Sequence, residues 1–387
     1  MSKGKGKDVF GYKCIRKDGM QDIIVFGIGE AYQQRRHLMP ANKYRIVEFW
    51  DNGASELGKK LNGIDVVKPH SDIGDSIVVV FSVHYYDEMK AQCIDELGIH
   101  EDRIKDYLLF EGDLLCERYK DDKDPYIEEF IDNIHKKGLS MFSYDWAYNY
   151  SVDDVVVEYD NECGLFYTVY ENKRMYLSRE YDTELKAKKY VLSLMIEQDP
   201  QSPHYYWKND DWKDKTIIDL GAAEGNFALH MVDDIKEAII VEVDEGWIEA
   251  LNKTFSAYKD KIKIISKLVL DKENDNCTTL SNIITNLESF ETKDIVIKLD
   301  IEGAEEAVLS ESIDILSRIQ NLHMLVCTYH HTDAYEYICR LMGGNGFHTN
   351  TVPGYMYMSV GSDNHRVQYK DKHNDVDLRH GLIYVYK

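Results

Sequence analysis

Thr216 to Asn226 reads TIIDLGAAEGN, and the interpretation of this stretch decides the fold. Ile217 and Ile218 supply a buried strand, and Gly221 and Gly225 bracket a turn into a helix. A glycine-rich turn of this kind lets a ligand approach the backbone, and the amides of the following helix can bind polar or anionic groups. Asp219, Gly221, Ala222, Gly225 and Asn226 are therefore the expected cradle of a cofactor. The next apolar run, Ala238-Ile239-Ile240-Val241, ends in Glu242. That is about twenty residues beyond the turn, where doubly wound folds place an acid on a ribose hydroxyl pair. A nucleoside cofactor is expected. A nicotinamide site would look similar, although this loop lacks the full G-x-G-x-x-G.

Working outward, Asp294 to Leu309 reads DIVIKLDIEGAEEAVL. Ile295 to Leu299 form a strand whose carboxyl end presents Asp300 and Glu302, just before Gly303 opens a helix. At this point the chain resembles the FkbM family of S-adenosylmethionine (SAM)-dependent methyltransferases, whose hallmarks are D-x-G-A-x-x-G and K-x-D-x-E-G-x-E. Asp219 to Gly225 and Lys298 to Glu305 carry them here. Glu197-Gln198-Asp199-Pro200-Gln201-Ser202-Pro203-His204 and Tyr329-His330 also look like segments of family members that modify glycans. The resemblance spans roughly Leu165 to the C-terminus. It implies SAM as cofactor, a sugar, nucleotide-sugar or glycan acceptor, and a role in surface polysaccharide synthesis.

Methyl transfer to an alcohol is an in-line displacement that needs a base for the hydroxyl proton. Asp300, Glu302 and His330 share the ligand edge and are the catalytic candidates, with His331 in reserve. In the functional reading His330 or Asp300 is the base. In the plain reading the two acids accept backbone amides at the following helix start, and His330 is an ordinary strand-end histidine. Asp271, after Leu268-Val269-Leu270, is either an acceptor for the adenine amino group or a solvent-facing acid. Two carboxylates and a histidine could hold a divalent metal, but no spacing demands one. A metal requirement stays open.

Composition sets outer bounds. The 387 residues suggest two or three domains, and 44% hydrophobic content is ample for real cores. With 46 Lys+Arg against 69 Asp+Glu, the formal charge of -23 speaks against nucleic-acid partners. Seven scattered cysteines without a C-x-x-C pair fit neither a disulfide framework nor a zinc site, and suit a reducing cytoplasm. The basic N-terminus lacks an apolar signal core, and no run reaches membrane-spanning length. A soluble, cytoplasmic protein without a transmembrane segment is expected, and an oligomer is compatible with this composition. Most of the 28 tyrosines are expected at half-buried strand positions.

Taken in order, residues 1–20 read as a polar leader and 21–118 as a small Rossmann-like accessory domain. The latter opens with a strand into Gly27-x-Gly29, followed by Tyr44 to Trp50 ending at Asp51. This order resembles the accessory domains found beside sugar-modifying enzymes. Gly27, Gly29 and Asp51 could hold a nucleotide, but Tyr32 stands where a third glycine is expected, which favours a scaffold. Residues 119–164 read as a helical, aromatic connector. Residues 165–387 read as the methyltransferase domain, with a cap formed by a strand pair and a helix from about Thr183 to Glu197. Helices at Glu302 to Ser310 and Ile313 to Ile319, and strands at Leu322 to Cys327, Tyr355 to Val360 and Leu382 to Tyr386, complete it.

The expected architecture is thus α/β throughout, with a class I methyltransferase Rossmann-like sheet carrying helices on both faces and a smaller Rossmann-like domain before it. The expected function is SAM-dependent O-methylation of a sugar or glycan hydroxyl. A polyketide or lipid hydroxyl, or an amine, is an alternative acceptor. A non-catalytic nucleotide-sugar-binding or glycan-assembly scaffold is the rival class.

Overall fold

The computed structural model describes residues 19–53, 56–82, 85–207, 212–358 and 376–387. The chain divides into two compact units, the first ending at Ser143 and the second beginning at Tyr144. The boundary falls inside the stretch expected as a connector. Its amphipathic helix belongs to the first unit and its aromatic end to the second.

The first unit runs β1 (Gln21–Phe26), α1 (Glu30–Arg35), β2 (Tyr44–Trp50), β3 (Lys60–Leu61), β4 (Ile64–Val67), β5 (Ile77–Val80), α2 (Tyr86–Ala91), β6 (Ile104–Asp106), α3 (Leu108–Arg118) and α4 (Pro125–Lys137). Its sheet order is β3-β4-β2-β1-β5-β6, with β3 the antiparallel partner of β4. The alternation of a strand covered on both faces explains the central place of β1. Ile23 and Val25 pack with Phe49 and Val79 on one side, while Ile24 and Phe26 pack with Trp50 and Val78 on the other. Tyr32 is buried between Phe49 and Phe81, so the third-glycine position of a nucleotide loop is filled by a core aromatic. The Asp51 carboxylate accepts the amide of Gly53 at 2.6 Å. In α4, the Asp124 carboxylate accepts the amide of Tyr126, Pro125 opens the first turn, and Ile134 meets Gly112 of α3.

In the second unit, β7 (Glu158–Asp160), β8 (Leu165–Tyr170) and β9 (Lys173–Tyr176) form an antiparallel sheet followed by α5 (Glu184–Glu197). Glu171 and Asn172 take positive φ and turn β8 into β9. The main elements are then β10 (Thr216–Leu220), α6 (Asn226–Met231), β11 (Glu237–Glu242), α7 (Glu245–Thr254), β12 (Ile262–Ser266), β13 (Leu268–Val269), β14 (Cys277–Thr278), α8 (Leu280–Thr285), β15 (Asp294–Leu299), α9 (Glu305–Leu316), β16 (Asn321–Cys327), α10 (Ala334–Gly344), β17 (His348–Thr351) and β18 (Leu382–Tyr386). The seven-stranded sheet has the order β12-β11-β10-β15-β16-β18-β17, parallel except for β18.

That is a Rossmann-like, doubly wound sheet with one antiparallel strand inserted beside its edge. Successive residues of β10 point to opposite faces: Ile218 and Leu220 join a core with α8, α9 and α10, while Ile217 packs with Phe227 of α6. The chain order reverses between β10 and β15, which opens a crevice at their carboxyl ends.

Two sequence expectations are corrected here. The helices expected at Glu302 to Ser310 and Ile313 to Ile319 are one helix, α9, since no glycine or proline interrupts 305–316. The strand expected at Tyr355 to Val360 lies earlier, at β17, and Met356 makes only an isolated bridge to Arg379. Pro353 has no amide to donate and Gly354 has φ +99, which ends the ladder; Ser359 and Val360 lie outside the described residues. Among the described residues, no helix is long and apolar enough to cross a membrane.

Each unit has its own core, so a chain of residues 144–387 should unfold in one cooperative transition when produced alone. Denaturant unfolding followed by tryptophan fluorescence checks this. An aggregated product without a transition would contradict it.

Candidate functional site

The end of β10 and the end of β15 approach each other more closely than side chains allow. Gly221 has φ +71, and a Cβ there would stand 1.8 Å from the carbonyl oxygen of Asp300. Only glycine fits. The Gly221 amide donates to the carbonyl of Val241, and its own carbonyl accepts from Lys298 Nζ at 2.7 Å. Lys298 also pairs with Asp219 Oδ1 at 3.2 Å, both side chains being buried. Burial opposes the charge on Lys298, but the carboxylates of Asp219 and Asp300 outweigh it and hold the ammonium above the usual lysine range. Asp219 thus anchors the turn from beneath. At Gly225, with φ +80, a Cβ would press on Leu251 at 2.7 Å and Phe255 at 2.8 Å, so this glycine lets α6 pack on α7. Ala222 and Asn226 are buried in the same turn.

Glu242, at the end of β11, accepts the amide of Ala223 at 3.0 Å and those of Val243 and Asp244 at 2.6 and 2.8 Å. Its carboxylate ties the glycine turn to the next strand while lining a cleft of about 190 Å3. Gly221, Trp247, Leu268, Val269, Asp300 and Glu302 also line the cleft. Asp244 caps α7 through the amides of Gly246 and Trp247. Four acids, Glu242, Asp244, Asp300 and Glu302, face this cleft against one base, Lys267. Asp271 is exposed beyond β13 and stands outside the lining.

Behind the cleft, the Asp300 carboxylate is held from two sides. Tyr206 and Tyr329 each donate a phenolic hydroxyl at 3.0 Å. Two imidazoles flank it, His204 Nε2 at 3.7 Å and His330 Nε2 at 3.6 Å. Each imidazole is backed by a glutamate, Glu197 at 2.8 Å from His204 Nδ1 and Glu305 at 3.0 Å from His330 Nδ1. Burial would raise the Asp300 pKa, but Lys298, His204, His330 and Tyr206 hold it below the usual carboxylate range. Burial likewise opposes charge on His330, yet Glu305, Asp300 and Glu302 raise its pKa to about 9. At neutral pH its ring is protonated and has no lone pair with which to take a proton.

Glu302 differs from its neighbours. Its side chain is 54% exposed, against 16% for Asp300 and 7% for His330, and its Oε2 lies 3.7 Å from His330 Nε2. Its φ of +57 is a left-handed conformation that a β-substituted residue adopts at a cost, and the following Gly303 continues it at +96. Partial desolvation of its carboxyl, with the carboxylates of Asp300, Glu305 and Glu242 nearby, pushes its pKa up against the pull of His330.

The structure therefore brings Asp219, Gly221, Ala222, Gly225, Asn226, Glu242, Asp300, Glu302 and His330 to one edge of the sheet, and leaves Asp271 aside. The helix-start role foreseen for Asp300 and Glu302 falls to Glu305, whose Oε1 accepts the amide of Ile301 at 2.9 Å. Sequence reasoning assigned no role to Lys298, Glu305, His204, Tyr206, Cys327 or Tyr329. Lys298 and Glu305 were within reach, since both belong to the quoted motif.

Comparison with known proteins adds the following. Residues 19–105 match the family model described as C2185-like, N-terminal. No curated protein matches the chain. Among solved structures, it is similar to methyltransferase FkbM from Methylobacillus flagellatus, over 95% of this chain and 90% of that one, with 11% identity and a TM-score of 0.39. A precorrin-6y methyltransferase from Geobacter metallireducens is similar over 46% of this chain and 84% of that one, with 10% identity and a TM-score of 0.31. Likenesses this weak carry no argument about chemistry, which rests on the geometry above.

Glu224, in the same turn, is buried and accepts the hydroxyl of Tyr190, which packs against Trp247 of the cleft. Burial raises its pKa to about 7. A carboxyl raised in the folded state adds stability below its unfolded pKa and loses it as pH rises through the folded value. Glu224→Gln should therefore leave stability at pH 4 unchanged and raise it at pH 8, by on the order of 2–3 kcal/mol. Urea unfolding across pH 4–8 reads this. Equal stability of the two proteins at pH 8 would contradict it.

Proposed function

We propose that the chain is a SAM-dependent O-methyltransferase acting on a hydroxyl of a sugar or glycan precursor. The observation that carries the cofactor is the acidic cleft at the switch point, where Glu242, Asp244 and Glu302 outnumber Lys267 at the mouth and the Asp300 charge is matched from behind by Lys298 and His330. A dinucleotide would bring two phosphates into that field, whereas a sulfonium brings a positive charge. The residues fit such a group: Gly221 and Ala223 line the cleft, Glu242 offers carboxylate oxygens to a ribose, and Trp247 supplies an aromatic wall. The sugar acceptor rests on the glycan-type segments at Glu197 to His204 and Tyr329-His330.

When bound, SAM supplies an electrophilic methyl carbon whose bond to sulfur breaks as the acceptor oxygen bonds to it. Glu302 takes the hydroxyl proton, being the catalytic candidate whose carboxylate opens widely into the cleft. His330, protonated and fixed by Glu305, stabilises the Glu302 carboxylate and orients it. Asp300, locked by Tyr206 and Tyr329, holds His330 in turn and would offer negative charge to a bound sulfonium. The acceptor is drawn to the open side of the cleft, and the buried phenols keep water from the inner side.

Glu302→Gln should lower turnover by about 10²- to 10⁴-fold while changing SAM affinity by less than about threefold. Transfer of labelled methyl groups to a panel of nucleotide sugars and glycans measures turnover, and calorimetry measures affinity. A loss of turnover below about tenfold would move the base elsewhere. Label appearing only on lipid or polyketide hydroxyls would replace the acceptor and keep the reaction.

A further inference from the structure

His204 enters the site from the segment after α5, Asp300 from the end of β15, and Cys327 from the end of β16, and their ligand atoms meet in the buried core. His204 Nε2 stands 3.2 Å from Cys327 Sγ and 3.7 Å from Asp300 Oδ2. All three ligand atoms lie within 4.8 Å of one another. Neighbouring ligands of a tetrahedral zinc-class ion, at its usual bond lengths, are separated by about 3.3–3.6 Å. The two spacings from His204 bracket that range, and the Cys327–Asp300 pair lies within 4.8 Å. The other nitrogen of His204, Nδ1, is fixed by Glu197 Oε1 at 2.8 Å, the carboxylate–imidazole pairing that presets a ligating histidine. His204 and Cys327 are fully buried, while Asp300 reaches the cleft and provides the way in.

We propose that His204, Asp300 and Cys327 bind a thiophilic divalent cation of the zinc class, with Glu197 as the outer partner of His204. On binding, the Cys327 thiol releases its proton to solvent and the thiolate, the neutral imidazole and the carboxylate coordinate the ion. Two ligand charges then cancel the charge of the ion, so the buried site is neutral. The Tyr206 hydroxyl donates to the same Asp300 oxygen at 3.0 Å and fixes its position. This site differs from a hard-cation site built of Asp300, Glu302 and His330 by its sulfur ligand, which selects zinc, cobalt or cadmium over magnesium and calcium. It is tested by metal alone, and an ion there would take up the Asp300 charge that the methyltransferase reading uses.

The test is titration of the full chain, stripped by chelator, with Co2+ under reducing conditions. One equivalent should develop the intense visible bands of tetrahedral cobalt and the ultraviolet thiolate-to-cobalt band, and Zn2+ should displace both. Cys327→Ser should abolish the thiolate band. Glu197→Gln, at the rim of the site, should retain the band and weaken Co2+ binding about 10- to 100-fold. Circular dichroism of each variant separates loss of the site from loss of the fold. The absence of a thiolate band in the wild type, its persistence in folded Cys327→Ser, or unchanged affinity in Glu197→Gln would each overturn the proposal. A misfolded Cys327→Ser would leave the wild-type titration and Glu197→Gln to decide.

Discussion

The close approach of Gly221 to the carbonyl of Asp300, clamped by Lys298, is the constraint on which the rest of the second unit depends. A side chain at Gly221 would collide with backbone, which cannot swing aside as a rotamer can. Lys298 reaches from β15 to the Gly221 carbonyl and to the Asp219 carboxylate, so one ammonium fixes the ends of both central strands. Removing one member of a buried pair leaves the other charge uncompensated, which typically costs about 3–5 kcal/mol. The clamp thus sets the mouth of the crevice at the point where the sheet order reverses.

From that mouth the site is arranged by depth. The outer layer is the acidic cleft of Glu242, Asp244 and Glu302, the part of the site that opens to solvent. The inner layer is the Asp300 carboxylate between two glutamate-backed imidazoles and two phenols, where burial makes every charge expensive unless paired. In the proposed reaction the layers divide the chemistry: reachable groups would exchange protons, and enclosed groups would hold position and field. Glu302 sits at the junction, with a strained backbone that keeps its carboxylate in the mouth.

Much of this was legible in the sequence because it is local. Gly221, Gly225 and Glu242 announce themselves by strand, turn and acid within about thirty residues, and the acids after β15 lie in one short motif. The place of most strands along the chain followed from the same periodicity, whereas their order in the sheet is seen only in the fold. What the sequence hid is pairing between distant segments. His204 and Cys327 are separated by 123 positions, and nothing in either segment names the other. Tyr206 and Glu197 likewise gain meaning only when the segment after α5 folds under Asp300. The misplacement of the strand at Tyr355 came from apolar spacing outweighing Pro353 and Gly354, whose backbone limits decide the matter. Asp271 fell outside because the chain turns into solvent after β13.

The central claim is that the crevice at the β10 and β15 ends takes a sulfonium nucleoside rather than a dinucleotide. Isothermal titration of the full chain with SAM and, separately, with NAD measures this directly. Saturable binding of one SAM per chain, with no heat from NAD at the same concentrations, is the predicted result. Binding of NAD, or the absence of SAM binding by a folded chain, would contradict the account.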